Sequence, residues 1–134
     1  MKGYALDTNI VSYALKGSEK ILEKIDEVRN GKRSLVIPPM VYYEVRRWLL
    51  ITESAAKKRA FEAIYAHSGI DVIDKRLLDR AASLHAGLRK KGITIGDADI
   101  LIAVFCMAHD YTLVTNNSKH FEDIENLNMV NWLD

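Results

Sequence analysis

Short apolar runs alternate with longer amphipathic segments along this chain, and that alternation restricts its fold more than any other feature. The runs at 4–6, 35–37, 71–73, 112–115 and 129–130 have the length and character of buried strands. Segments with apolar residues at helical spacing fill the stretches between them. This order is typical of helices that connect parallel strands, so the sequence predicts an α/β fold with a central parallel sheet.

Six helices are expected between and around these strands. Glycines that follow basic or polar residues mark several of their ends, as in Lys16-Gly17 and Asn30-Gly31. The segment before His109 is apolar on nearly every face, which predicts a buried helix. The predicted helices span residues 8–16, 19–29, 38–51, 54–67, 76–91 and 98–109.

Composition excludes several classes of protein. The formal net charge of +1 over 134 residues argues against a disordered polyelectrolyte and against nucleic-acid binding by bulk charge. One cysteine excludes a disulfide framework and a cysteine-rich zinc site. The longest apolar run, at 100–108, is too short to span a bilayer, and Asp7 interrupts what would be a signal segment. We therefore predict one soluble domain over 1–134, in the cytoplasm.

Two carboxylates in the first half of the chain lie at positions that suggest a function. One follows a predicted strand, and the other lies beside an apolar helix face. Asp7 follows the first predicted strand, and ligands bind beyond the carboxyl ends of such strands. Glu44 lies beside the apolar stripe of its helix, where a carboxylate must be paired, protonated or bound to a metal. Simpler interpretations stay open: Asp7 as a helix N-cap, and Glu44 as an ion-pair partner of Arg47.

A second set of polar residues comes from the second half of the chain. Asp97 and Asp99 open the most apolar helix. Acids at the start of a helix also act as caps or are stabilised by the helix dipole. Asn117 follows the fourth strand, and turn chemistry alone explains an asparagine there. We assign Asp97 to the helix cap. Together, Asp7, Glu44 and Asp99, with Asn117 at the rim, are expected around one mouth of the sheet.

A group of like charges in one cleft needs a cation or protons to persist. Carboxylate oxygens without cysteine or paired histidines suit Mg²⁺ or Mn²⁺, and such cations serve phosphoryl chemistry.

Other residues carry weaker signals. The four histidines, His120 among them, lack metal-ligand spacing and are interpreted as surface or satisfied side chains, and Cys106 as core. Arg46 and Arg47, and the basic residues at 89–91, are candidate RNA-phosphate contacts or solvated helix faces.

The chain also resembles a known family. LDTNIVSYAL at the start, the glutamate in PPMVYYEVRRWLL, IGDADILIA, and LVTNNSKHFEDI are similar to the ordered motifs of PIN-domain ribonucleases, in particular the VapC toxins of toxin–antitoxin pairs. The resemblance implies a three-layer α/β/α sandwich. It implies metal binding by Asp7, Glu44 and Asp99, a supporting hydroxyl at Thr115, and Asn117 where many members carry a fourth acid.

That resemblance implies a function as well. VapC toxins are usually homodimers that cleave tRNA or ribosomal RNA with Mg²⁺ or Mn²⁺, using a metal-activated water. A cognate antitoxin blocks the acidic site, and operator DNA is bound only indirectly, through the antitoxin.

Two other hypotheses remain. One is a non-catalytic dimeric co-repressor that binds the antitoxin. The other is a phosphatase-type hydrolase, disfavoured because Asn9 stands where that chemistry needs a second aspartate.

Overall fold

A four-stranded parallel sheet forms the centre of the molecule. The computed structural model describes residues 2–68 and 72–134. The strands are β1 (Gly3–Leu6), β2 (Ser34–Val36), β3 (Tyr111–Val114) and β4 (Met129–Val130), in the order β2-β1-β3-β4. All three pairings are parallel, which confirms the predicted sheet. Gly3 allows β1 and β2 to approach closely, because a Cβ there would overlap the Ser34 carbonyl oxygen.

Helices connect and cover these strands, and their bounds lie within two residues of those predicted. In the described residues they are α1 (Thr8–Leu15), α2 (Glu19–Asn30), α3 (Pro39–Thr52), α4 (Ala55–Tyr65), α5 (Lys75–Lys90) and α6 (Asp97–His109), with a 3₁₀ turn at Ser118–His120. This is the predicted three-layer α/β/α arrangement. No helix among the described residues is both long enough and apolar enough to cross a membrane.

Among the described residues, the strand predicted at 71–73 does not form. Asp71 lies outside the described residues, Val72 and Ile73 are irregular, and Val72 is 71% exposed. The prediction was wrong for these two residues because a three-residue apolar run carries too little pattern to distinguish a buried strand from an exposed connection.

Helix α6 is buried as predicted, and its position determines where its first turn lies. Ile102, Val104, Phe105 and Cys106 are each at most 2% exposed. Burial raises the pKa of the Cys106 thiol far above its ordinary value, so this side chain is an inert part of the core, as predicted. Because the helix is held on most sides, the acids of its first turn have a defined place at the carboxyl edge of the sheet.

Candidate active site

The ends of β1 and β3 bring two polar side chains together. Leu6 pairs with Val114 in the parallel register, so Asp7 and Thr115 leave the sheet side by side. Both are buried, and the Thr115 hydroxyl donates a hydrogen bond to Asp7 Oδ2 at 2.7 Å. Thr115 Oγ1 in turn accepts from the Asn117 backbone N–H at 2.9 Å. The Asp7 carboxylate, at the end of β1, is therefore tied to the end of the neighbouring strand β3.

Asp7 also caps a helix. Its Oδ1 accepts from the Thr8 backbone N–H at 2.8 Å at the start of α1, and the Asn9 side chain donates to Oδ2 at 3.4 Å. The cap interpretation raised by the sequence is thus correct for Asp7, and it does not compete with a role in the site. The cap uses one carboxylate oxygen, while the other is directed at Thr115.

Glu44 reaches the same region from α3. Its Oε1 accepts from the Thr8 hydroxyl at 2.8 Å, and its Oε2 lies 3.9 Å from Arg47 Nη2. The Arg47 pairing suggested by the sequence is present, but the arginine is 57% exposed, so the pair contributes little to stability. The Glu44 side chain is 23% exposed at the edge of the apolar stripe formed by Val41 and Val45.

Asp99 enters from the first turn of α6. Its Oδ2 lies 3.4 Å from Nδ1 of His120. The pKa of Asp99 is raised above its ordinary value by burial and then by the negative charge of Asp7, with a smaller contribution from Glu44; His120 opposes the shift. Asp99 therefore experiences the charges of both Asp7 and Glu44, although the three carboxylates come from distant parts of the chain.

Asp97 lies apart from this group. Helix α6 begins at Asp97 with Gly96 as its N-cap and no side-chain cap, so the assignment of Asp97 as the cap was wrong by one residue. The side chain is exposed and faces a small pocket that also contacts His85. The pocket that Asp97 lines contains none of Asp7, Glu44 and Asp99.

One cleft of about 620 Å³ joins these groups, and we call it the acid cleft. Asp7, Glu44 and Asp99 line it together with Asn117, whereas Thr115 lies beneath it. Its remaining walls are polar, basic and apolar side chains, among them Ser12, Lys16, Arg47, Trp48, Ile51 and His120. Arg47 therefore faces the acids, while Arg46 and the basic residues at 89–91 do not line the acid cleft.

The carboxylate oxygens of the acid cleft suit a hard divalent cation, and two of the three carboxylates are placed to bind it. Within residues 2–68 and 72–134, no three His, Cys, Asp or Glu side chains form a group that could hold a metal ion. Thr8 and Arg47 engage Glu44 instead. Mg²⁺ commonly keeps several waters and uses only one or two carboxylates, which Asp7 and Asp99 can supply. Burial and then repulsion by Asp7 raise the pKa of Asp99, and such a cation would relieve the repulsion.

Sequence reasoning missed two members of this arrangement. Thr8 bonds Glu44 across the gap between α1 and α3, and nothing in the sequence indicates which hydroxyl reaches that helix. His120 is exposed, as predicted, but it also contacts Asp99. Its position three residues after Asn117 was the available signal, because a helical turn there returns the side chain toward the end of β3.

Thr115 gives a direct test of how firmly Asp7 must be held. Thr115→Val keeps the shape but removes the donor to Asp7 and the acceptor for Asn117. We expect a loss of about 1.5–3 kcal/mol in the free energy of unfolding, since one bond is to a charged group. The resemblance seen in the sequence motifs implies RNA cleavage at this site, and that cleavage should then be roughly 10–100-fold slower in Thr115→Val. Thr115→Ser, which keeps both hydrogen bonds, is the control in denaturant melts and cleavage assays. Equal cleavage by Thr115→Val and wild type would contradict this role.

Comparison with known proteins decides the family. The sequence profile of the PIN domain matches residues 4–127. The chain belongs to the PIN-domain family. Ribonuclease VapC2 of Rickettsia felis is 30% identical to this chain over 131 residues, covering 96% of this chain and 97% of that protein. The tRNA(fMet)-specific endonuclease VapC of Shigella flexneri is 27% identical over 141 residues, covering 98% and 99% of the two chains.

Solved structures agree with this family. A chain of VapBC2 from Rickettsia felis bound to a DNA fragment from its promoter superposes with a TM-score of 0.84 at 28% identity, covering 97% of this chain and 98% of that one. A chain of DNA-bound VapBC from Salmonella typhimurium gives 0.81 at 25% identity, covering 98% and 99%. This PIN domain is therefore of the VapC type, which confirms the resemblance seen in the sequence motifs.

Proposed function

We propose that this PIN-domain protein is the endoribonuclease toxin of a toxin–antitoxin pair and that its activity depends on Mg²⁺ or Mn²⁺. The observation that carries the proposal is the acid cleft, in which Asp7, Glu44 and Asp99 meet at the carboxyl edge of the sheet. In open α/β sheets this edge is where ligands bind. The names of the VapC ribonucleases that the chain resembles along its length support the same activity.

In this proposal each residue of the acid cleft has a distinct task. Asp7 and Asp99 hold the cation, which when bound polarises a phosphoryl oxygen and makes water a better nucleophile. Glu44 accepts the proton from the attacking water, because the long contact with Arg47 is the only side-chain contact of its Oε2 in the described part of the chain. Lys16 and Arg47 line the same cleft and contact substrate phosphates. Since the net charge is only +1, such local contacts hold the RNA.

The competing hypotheses explain less of the geometry. A non-catalytic co-repressor, in which the acids are only caps and ion-pair partners, accounts for the cap by Asp7 and for the pairing of Glu44 with Arg47. It gives no reason for Asp7, Glu44 and Asp99 to line one cleft, where their like charges repel. A phosphatase of the type considered needs a second carboxylate at position 9. Position 9 is instead Asn9, whose side-chain amide donates a hydrogen bond to Asp7. An asparagine has no carboxyl group that could act as the second acid of that chemistry.

The substrate class we propose is structured RNA, tRNA or ribosomal RNA, in the cytoplasm. The printed specificity of the Shigella flexneri relative for tRNA(fMet) supports the tRNA option. The test is incubation of the purified protein with total tRNA and ribosomal RNA in Mg²⁺, Mn²⁺ or EDTA, followed by sequencing of new RNA 5′ ends. Discrete ends that require the cation are expected. A folded protein that leaves every RNA intact with each divalent metal would refute the proposal.

We further propose an antitoxin and a second copy of the chain as partners, with operator DNA contacted only through the antitoxin. The VapBC complexes among the similar structures, two of them with DNA, support the antitoxin. The tyrosines Tyr42 and Tyr65 are half-buried, with their ring centroids 4.6 Å apart. Leu50 and Ile51 on α3 are the more exposed apolar residues. Sedimentation showing only monomer at high micromolar concentration would contradict the dimer.

A further inference from the structure

We propose that His120 is a positioning residue that holds the Asp99 carboxylate toward Asp7 across the acid cleft. The inference rests on the proposed function, because it concerns how one of the two proposed metal ligands is oriented. The contact itself is between His120 Nδ1 and Asp99 Oδ2, at 3.4 Å. In metal sites, groups that hydrogen-bond a ligand set its orientation and commonly change metal affinity or activity by about 10–100-fold.

The fold determines where His120 lies. Its turn begins directly after Asn117, whose backbone N–H is bonded to Thr115 and through it to Asp7. The His120 backbone N–H donates to the Asn117 carbonyl at 2.9 Å. On the other side, Phe121 is completely buried in the core. The imidazole is thus carried by a short turn anchored at both ends, unlike an exposed histidine on a free loop.

Asp99 depends on this histidine more than the other two carboxylates depend on any single partner. Asp7 accepts hydrogen bonds from Thr8, Asn9 and Thr115, and Glu44 contacts Thr8 and Arg47. In the described part of the chain, the only side chain within hydrogen-bonding or ion-pairing distance of the Asp99 carboxylate is His120. Removing the imidazole therefore leaves Asp99 free to rotate, whereas the positions of Asp7 and Glu44 are held by other contacts.

The imidazole also separates two concave surfaces. Asp99 and His120 line both the acid cleft and a neighbouring groove of about 350 Å³ formed by residues 93–96 with Lys119 and Asp123. Without the ring, the Asp99 carboxylate can turn into that groove and away from Asp7. Because the His120 side chain is 58% exposed, its truncation leaves no cavity in the core, and the variant is expected to fold.

The test uses three substitutions. His120→Asn places an amide N–H where Nδ1 stands, His120→Gln places one further out, near the other ring nitrogen, and His120→Ala removes the donor. We expect His120→Ala to weaken Mn²⁺ binding in titration calorimetry and to lower kcat for RNA cleavage, both by roughly 10–100-fold. His120→Asn should recover most of each loss and His120→Gln little. His85→Ala, outside the acid cleft, is the matched control. Wild-type Mn²⁺ affinity in His120→Ala would overturn the proposal.

A second readout needs neither metal nor RNA. Long-range ¹H–¹⁵N NMR spectra report which ring nitrogen of a neutral histidine carries the proton, and donation to Asp99 requires Nδ1–H. Wild type should show this tautomer at His120, and Asp99→Asn should restore the more common Nε2–H form. An unchanged tautomer would refute the positioning role. If the tautomer behaves as expected but wild type neither binds Mn²⁺ nor cuts RNA, the proposed function fails while the contact stands.

Discussion

Asp7→Asn is expected to lower RNA cleavage by more than about 100-fold, beyond the 10–100-fold typical of residues that act through a ligand. The substitution keeps the shape but removes one negative charge from the acid cleft. Mn²⁺ affinity should fall together with activity, because Asp7 is one of the two proposed ligands. Calorimetry and cleavage of total tRNA on the same preparation measure both quantities.

The variant should fold with some loss of stability. Asparagine can still cap α1 through its oxygen, but its amide then faces the Thr115 hydroxyl and the Asn9 side chain, which both donate to Asp7 Oδ2. Loss of a hydrogen bond to a charged acceptor costs about 1.5–3 kcal/mol, offset in part by weaker repulsion of Asp99. Circular dichroism checks folding. Folded Asp7→Asn protein that cleaves RNA at the wild-type rate would defeat the proposed mechanism.

Asp99→Asn is expected to weaken metal binding and RNA cleavage as strongly as Asp7→Asn does. Unlike Asp7→Asn, it should stabilise the metal-free protein near pH 7. Burial and the Asp7 charge raise the pKa of Asp99 in the folded state above its unfolded value of about 3.9. The ionised form therefore opposes folding when the pH is above both values, and this cost disappears as the pH falls below about 3.9. Asparagine removes the cost at neutral pH.

Melting curves distinguish this prediction from general damage. Without metal, Asp99→Asn should have the higher Tm at pH 7, and its advantage over wild type should shrink as the pH approaches 4. With Mn²⁺ at about 100 times its Kd, wild type should gain about 2.7 kcal/mol and Asp99→Asn nothing, so the order reverses. Asp97→Asn, exposed and outside the acid cleft, is the matched control and should keep activity within a few-fold. A lower Tm for metal-free Asp99→Asn at pH 7 would contradict the electrostatic argument.

The sequence by itself determined the fold class and the candidate acids. Apolar runs separated by helical segments require a parallel sheet with crossover helices, because each run buries its surface only between such layers. An acid directly after a strand, as at Asp7, then has to lie at the carboxyl edge. The order of the four motifs was sufficient to indicate the PIN-domain family. These properties are readable because they follow from local periodicity and from chain order.

Only the tertiary structure decided which side chains touch. The Thr8 hydroxyl bonds Glu44, 36 residues away, and Thr115 bonds Asp7, 108 residues away. No local pattern contains such contacts, since they depend on how α3 and β3 pack against the first strand and helix. The contact of His120 with Asp99 also depends on packing, because it follows from a 3₁₀ turn anchored by Phe121 in the core. The sequence predicts which groups are near the mouth of the sheet, and packing determines which pairs of atoms come within hydrogen-bonding distance.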